Sequence, residues 1–560
     1  MTAALTPQMI RDIEALVGPV PQDMAMGSPL EGADRFDRSV AMWAPALQSA
    51  DADILPDKFM ADARVNDLAR NDGYVQSGIE INKNSIVGSM YLLNSKPEMR
   101  VLGIDDEVWQ AEFQEEVEAK FTLGSESVNC WLDAARRATF TDMCRLAIAS
   151  VAASGEMLAV FEWLRASERP FRTAVSVLDP IRLKTPYHRL PDQNIRGGVQ
   201  MDRYGMPVGY WIVDNPAMGH TYPIGNGMDE AKFVAARKPW GRRQVCHIVE
   251  QKRPHQTRGI SDMVAGLMET QIAKKFRKVT LQNAVTGAMF AATIESELPS
   301  EAVYAQLGAG NLKTGTPGAA AAAFATDYLS AAAMYAENAK GLMIDGAKIP
   351  HLFPGTKFQL RPVGTPGGVG QDFEASLIRH TAALLGISYE QLSKDYAKTN
   401  YSSMKGGINE TYKFMMARKK AVADRFATMV FMNWFEEMIN KGAIEAMNYS
   451  KLPNFYEPLM AEAFTACDWI GASRGQIDEL KETQAAILRI RSGLSTWEDE
   501  LGRLGKDWRK VFVQLEREQK ELEDRGIMLA DAASLAAADR AASQENAASS
   551  EDNEEKATEK

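Results

Sequence analysis

Apolar positions along this chain recur at helical spacing, then gather into short β-rich runs, then return to helical spacing at length. Val65, Leu68, Val75, Ile79 and Ile86 form a stripe across residues 64–88 that predicts a helix stopped at Gly88. Further helices are expected from about Asp106 to Leu123 and from about Phe140 to Ala153. After Gly155 the runs MLAVFEWL, FRTAVSVLDP and GGVQMDRYGMPVGYWIV predict an α+β unit with hairpins over residues 155–250. Asp202 to Gly205 is the expected turn of one hairpin, followed by a strand from Val208 to Val213.

Beyond Gly259, Ile260, Val264, Met268, Ile272, Phe276 and Val279 fall three or four apart and predict a long helix with a narrow packing stripe. Lys274, Lys275, Arg277 and Lys278 form a basic band on its other side. A solvated face is the simplest account of that band, and phosphate contact is the sharper alternative. Residues 308–346 are rich in Gly, Ala and small polar residues, a composition suited to an adaptable projection. A second helix is expected from about Gln371 to Leu385, with Phe373, Leu377 and Leu384 on one face and Gly386 as its cap. A polar loop follows. Ser402 or Ser403 then caps a helix running to about Lys441, a rod of roughly 60 Å, longer than a globular domain usually needs. Three C-terminal helices follow, the first stopping at Gly493, the second opening on a capping box of Ser495 and Glu498, and the third ending at Gly526. Residues 1–60 read as a loosely attached arm, and residues 536–560 as a disordered acidic tail.

Composition narrows the function. Hydrophobic residues make up 45% and charged residues 24%, as in folded globular chains. With 63 basic and 74 acidic residues, the net charge of −11 argues against a protein that coats nucleic acid with a uniformly basic surface. Cys130, Cys144, Cys246 and Cys467 form no C-x-x-C pair, and the six histidines show no metal-binding spacing, so neither a metal nor another cofactor is expected. The first residues lack a signal-peptide pattern, and the longest apolar stretch, Ala284 to Ile294, is short of the roughly 20 residues that span a bilayer. Cytoplasmic assembly without membrane contact is therefore expected. GAGNLKT, residues 308–314, has Leu312 and Leu307 where a phosphate-binding Walker loop needs Gly, so no ATPase is expected. Ser402-x-x-Lys405 has the spacing of acyl-serine enzymes, with Lys313-Thr314-Gly315 and Ser127-x-Asn129 as apparent companions. In such enzymes the Ser-x-x-Lys element comes first, whereas here it follows both partners, and a non-enzymatic chain is expected.

Six stretches in one order carry a more specific signal: LARNDGYVQSGIEINKNSIVGS, GVQMDRYGMPVGYW, RPHQTRGISDM, MFAATIESEL, LLGISYEQLSKDYAKTNYSSMK and CDWIGASRGQIDELKE. Together they resemble the portal proteins of tailed bacteriophages, and most closely the lambda-type family, over roughly residues 55–520. The resemblance implies a mainly helical α+β portal fold. It places a wing at residues 61–259, a first stem helix at 260–292 and a clip at 293–366. A second stem helix at 367–392, a tunnel loop at 393–404, a long helix and the rest of the wing at 405–472, and a crown at 473–535 complete the expected order. It further implies a homododecameric ring at one capsid vertex of the virion, nucleating head assembly with major capsid and scaffold proteins. Such a ring docks the terminase large subunit, passes double-stranded DNA inward and later outward, and binds the head-tail adaptor. Within the loop Lys394, Tyr396, Lys398, Asn400, Tyr401 and Lys405 are the candidate DNA-facing residues, able to touch phosphate and sugar without reading sequence. The alternatives are a helical scaffold or adaptor without a channel, and an acyl-serine hydrolase. A fluorescent fluorophosphonate or penicillin probe should leave the chain unlabelled, whereas labelling lost on Ser402→Ala would establish the hydrolase.

Overall fold

Several of the helices start at a side chain that satisfies their unpaired N–H groups. In the computed structural model, which describes residues 42–213, 231–290, 369–397, 399–475 and 478–526, with positions 39, 330, 343–344 and 347–348, Ser49 opens helix α1 (Ala50–Asn71). The expectations for the first 41 residues, the GAGNLKT loop and most of the clip, Lys398 and the tail from 536 lie outside the described residues.

Two boundaries differ from expectation. The proposed arm limit at residue 60 falls inside α1, whose Lys58, Ala61, Asp62 and Val65 are buried. The stripe over 64–88 belongs to two helices, because Asp72 turns extended and its Oδ1 accepts from Tyr74 and Val75 N–H at 3.0 and 3.2 Å, opening α2 (Gly73–Ile86). A carboxylate that caps a new helix ends the old one.

Helix α3 (Glu107–Ser125) is capped by Asp106, and α4 (Phe140–Ser154) by a Thr139–Asp142 capping box. Between them and the strands that follow lies an aromatic core. Phe121 meets Phe140, Phe431 and Trp434 edge-on at centroid distances of 5.2, 5.4 and 5.2 Å, the favoured geometry for ring quadrupoles. Strand β1 (Leu92–Ser95) pairs antiparallel with β9 (Cys467–Ile470), which ties the two ends of this body together.

The expected α+β unit is present. Strand β2 (Glu156–Trp163) lies between β3 (Thr173–Leu178) and β8 (Val245–Val249), antiparallel to both. A second antiparallel sheet runs β4 (Ile195–Arg196), β5 (Val199–Met201), β6 (Pro207–Val213) and β7 (Ala231–Ala235). The hairpin turn falls at Asp202 to Gly205, where Asp202 Oδ1 accepts from Tyr204 and Met206 N–H at 2.8 Å each.

Two long helices leave the body side by side: α5 (Leu267–Phe290), after a short 3₁₀ turn, and α6 (Val369–Leu384). A short α7 (Tyr389–Ser393) and a loop lead to α8 (Tyr401–Arg418). The expected rod to Lys441 is continuous but contains a π-helical turn at Lys419–Asp424 before α9 (Arg425–Asn440). The cause is local: buried Asp424 accepts from Lys419 Nζ at 2.8 Å and from the Tyr91 hydroxyl, while Lys419 also donates to Trp469 O at 2.8 Å. The extra residue brings these groups together.

The C-terminal layer comprises α10 (Glu479–Arg491), α11 (Trp497–Arg503) and α12 (Trp508–Asp524). The capping box of α11 is Thr496 with Asp499, one residue beyond the expected Ser495 and Glu498. Glu498 is otherwise engaged, accepting from Asn94 Nδ2 at 2.6 Å and pairing with Lys96 at 2.8 Å. Arg509 of α12 reaches Glu118 and Gln114 of α3 at 2.8 Å each. Burial pushes the Glu118 carboxyl up to about 7, although the Ser95 N–H and Arg509 act against it. A carboxyl raised in the folded state stabilises fully below its unfolded value of 4.5, and that contribution is lost as pH rises through 7. Glu118→Gln should therefore flatten the decline of Tm between pH 5 and 8, and an equal decline in both proteins would contradict this assignment.

Candidate DNA-facing loop and its supporting helices

The support begins at one buried carboxylate. Glu156, at the start of β2, accepts from Arg258 Nε at 3.0 Å, from a terminal Arg258 nitrogen at 2.6 Å and from Gly259 N–H at 2.7 Å. Lys58 of α1 and His247 of β8 stand 3.1 Å away. Arg258 spends its remaining N–H groups on the carbonyls of Pro180, Leu183 and Gly197 at 2.8, 3.2 and 2.6 Å. Burial alone would raise Glu156, but Arg258, His247 and Lys58 outweigh it and hold the carboxyl well below the usual range. Neighbouring Asp62 goes the other way, pushed up to about 6 by burial despite its 2.9 Å pair with Lys58. This cluster fixes the residues from which α5 departs.

The paired helices meet through small residues. Met263, Gly266, Thr270 and Ala273 are buried before and along α5, as are Ile378, Thr381 and Ala382 along α6. A Cβ on Gly266 would lie 2.1 Å from Leu384 Cδ1, so the glycine lets Leu384 pack directly over it. Phe276 meets Phe373 edge-on at 5.4 Å. The expected packing stripe is accordingly corrected in part: Val264 and Phe276 pack, but Met268 is 76% exposed, and Ile272 and Val279 are exposed as well. Close approach selects the small side chains, and the large ones fall on the free side.

The basic band also divides. Arg277 pairs with Asp72 and lies 4.9 Å over the Tyr74 ring, tying α5 to the α1–α2 junction. Lys274 is half-buried, whereas Lys275 and Lys278 are exposed. A second tie comes from Arg418 of α8, which meets Asp262 at 2.5 Å and Glu250 at 3.0 Å and lies 4.7 Å over Phe414. Burial would raise Asp262, but Lys252 and Arg418 prevail and its carboxyl is lowered. No sequence signal flags Arg418, because its partners lie more than 150 residues away.

The loop hangs from these supports. Gly386, at a φ of 67°, ends α6 with its Cα against the Phe414 ring, where a Cβ would come within 2.1 Å. Ser388 and Gln391 form a capping box for α7, and Lys394 ends that helix in the left-handed region, its N–H donating to Glu390 O at 2.9 Å. Asp395 Oδ1 accepts from Ala397 N–H at 3.1 Å, and Thr399 N–H donates to Tyr396 O at 3.2 Å. Asn400 caps α8 by accepting from Ser403 N–H at 2.8 Å, so neither Ser402 nor Ser403 is the cap. The loop proper is therefore Lys394 to Asn400, and residues 401–404 form the first turn of α8 rather than part of the loop.

Lys394, Tyr396 and Asn400 are exposed on it, and Lys394 makes no ion pair among the described residues. The side chains of Lys398 and Tyr401 lie outside the described residues. Lys405 stands 4.0 Å from Glu482 of α10, and Ser402 is exposed one turn earlier. Among the described residues no group of His, Cys, Asp or Glu gathers to hold a metal, and no helix is long and apolar enough to cross a membrane.

Comparison with known proteins decides the family. The profile described as phage portal protein, lambda family, matches residues 36–419. Portal protein B of Escherichia phage lambda is 35% identical over 502 residues, covering 89% of this chain and 90% of that protein. The chain belongs to the lambda family of phage portal proteins. The portal protein of Escherichia phage N15 is 34% identical, again covering 89% of this portal chain and 90% of the relative. Among solved structures, the neck of an empty GTA particle computed with C6 symmetry is similar at 12% identity and a TM-score of 0.39, covering 80% of this chain and 93% of that one.

Removing one member of the buried cluster should be costly. Arg258→Met removes the strongest partner of Glu156 and strands the carbonyls of Pro180, Leu183 and Gly197, and should destabilise the chain by about 3–5 kcal/mol in denaturant unfolding. The double variant with Glu156→Gln should recover part of that loss, and strictly additive losses would contradict the coupling.

Proposed function

We propose that this portal chain closes into a twelve-subunit ring at one capsid vertex and serves as a passive conduit for double-stranded DNA. The observation that carries the reading is the row of large apolar side chains on the free side of α5: Met268, Ile272 and Val279, which fall on one face of the helix and are all exposed. A helix that exposes such a row in one subunit buries it against another, and a closed ring satisfies every copy equally. In the proposed division α5 and α6 are the stem, residues 293–366 the clip, α10 to α12 the crown, and the body around the aromatic core the wing.

The loop from Lys394 to Asn400 would then face the axis. Repetition around the ring turns each exposed lysine into a belt of point charges, and Tyr396 and Asn400 add contacts that do not depend on base identity. The net charge of −11 keeps those contacts few, which suits a duplex that must slide. Force for packaging comes from the terminase large subunit docked on the ring, consistent with a chain that does no catalysis itself. Major capsid and scaffold proteins would assemble around the ring, and the head-tail adaptor would replace the motor before DNA leaves.

Replacing Lys394, Lys398 and Lys405 together by Ala should leave rings intact while lowering nuclease-protected, full-length DNA in heads several-fold. Full heads at wild-type yield would remove the loop from the channel.

A further inference from the structure

Beside α9 opens a cleft of about 610 Å³, lined by Arg237, Arg243 and Arg425 together with apolar Met429, Met432 and Phe455. Of the four carboxylates that line it, Asp424 and Glu436 are engaged, while Glu457 and Glu462 stand at its edge without an ion pair of their own among the described residues. Glu436 accepts from Arg242 at 2.9 Å and from Trp240 Nε1 at 3.2 Å, and Asp424 holds Lys419. Of the four lining guanidinium groups only Arg242 meets a carboxylate among the described residues; Arg237, Arg243 and Arg425 do not, and Arg237 donates to Gly241 O at 3.1 Å. Burial, with Arg237 and Arg425 close by, pushes the Arg243 guanidinium below its usual range. The π-helical turn ends at Asp424, and its extra residue sets the angle at which Arg425 leaves the helix. Three like charges that make no ion pair of their own among the described residues favour an anionic occupant despite the acidic edge, and guanidinium forks suit carboxylates.

Acidic peptide fits this lining better than DNA. The cleft has an apolar surface of Met429, Met432 and Phe455, which the methyl groups of a peptide can cover and a phosphodiester backbone cannot. The chain supplies such a peptide itself. Residues 545–559 carry Glu545, Glu551, Asp552, Glu554, Glu555 and Glu559 with Lys556 as their one base, and small Ala547, Ala548 and Ala557 allow close approach. We propose that the cleft beside α9 docks this acidic segment through Arg237, Arg243 and Arg425.

The distance allows it. Helix α12 starts where Arg509 meets Glu118 of α3, and α3 packs Phe121 on Trp434 of α9. The 17 residues of α12 carry the chain away by roughly 25 Å, and residues 527–544 can return by up to roughly 60 Å.

A photo-cross-linking side chain in place of Asn553, in the full-length chain, tests the proposal. Irradiation at low salt should join residue 553 to peptides spanning 237–243 or 425–436, with the yield falling at least fivefold in R243E/R425E and in 1 M salt. The tail variant E551Q/D552N/E554Q/E555Q, which leaves the body untouched, should lose the cross-link equally. Reversing the tail charges with E551K/D552K/E554K/E555K should restore it on R243E/R425E. Cross-links only to other regions, or yields unchanged in both variants, would overturn the proposal. So would a duplex oligonucleotide that loses affinity in R243E/R425E while the cross-link persists, since the cluster would then be a phosphate site.

Discussion

The large apolar side chains that α5 turns away from its own subunit are the constraint on which the rest of the structure depends. Water penalises such a row continuously, and the penalty grows with the apolar area left exposed. Among the described residues nothing relieves it, because α6 already packs on the other side, Leu384 over Gly266 and Phe373 against Phe276. Relief has to come from another chain. A symmetric assembly is the economical solution for a protein whose copies are identical.

For assembly to produce a channel of fixed shape, each pair of helices must leave the body at a fixed angle. That is the role of the polar groups buried at their base. Glu156 joins β2, α1, β8 and the Arg258–Gly259 turn in one site, while Arg277 and Arg418 tie α5, α2 and α8 from two further sides. A buried ion cluster contributes modestly to net stability but strongly to uniqueness of arrangement in some proteins, and here it stands where an error in angle would be magnified along a 24-residue helix. The loop between α7 and α8 inherits its position from the same supports through Gly386 and Phe414.

Much of this order was legible in the residues. Helical spacing placed α3, α4, α5 and α6 within a few residues or one short turn, and Asp202 to Gly205 marked its hairpin correctly. What periodicity could not supply was the direction each stripe faces. Met268, Ile272 and Val279 are spaced like core residues, yet the core-facing side belongs to Gly266, Thr270 and Ala273, whose smallness matters only once α6 is beside them. Long-range partners were hidden for a related reason: Lys58, Glu156 and Arg258 lie in three separate segments, and nothing local distinguishes them from surface charges. The cap of α11 slipped by one residue because Glu498 was drawn to Lys96 and Asn94. Of the loop, the polar character was visible in Lys394, Tyr396 and Asn400, but its shortening at Asn400 required the cap to be seen.

Negative-stain electron microscopy of the purified chain beside an Ile272→Glu/Val279→Glu variant tests the central claim most directly. The account predicts rings with a central hole for the natural chain and dispersed subunits for the variant, since two carboxylates on the free side of α5 cannot be buried against a neighbour. Solitary particles of the natural chain under every assembly condition, or rings indifferent to both substitutions, would contradict it.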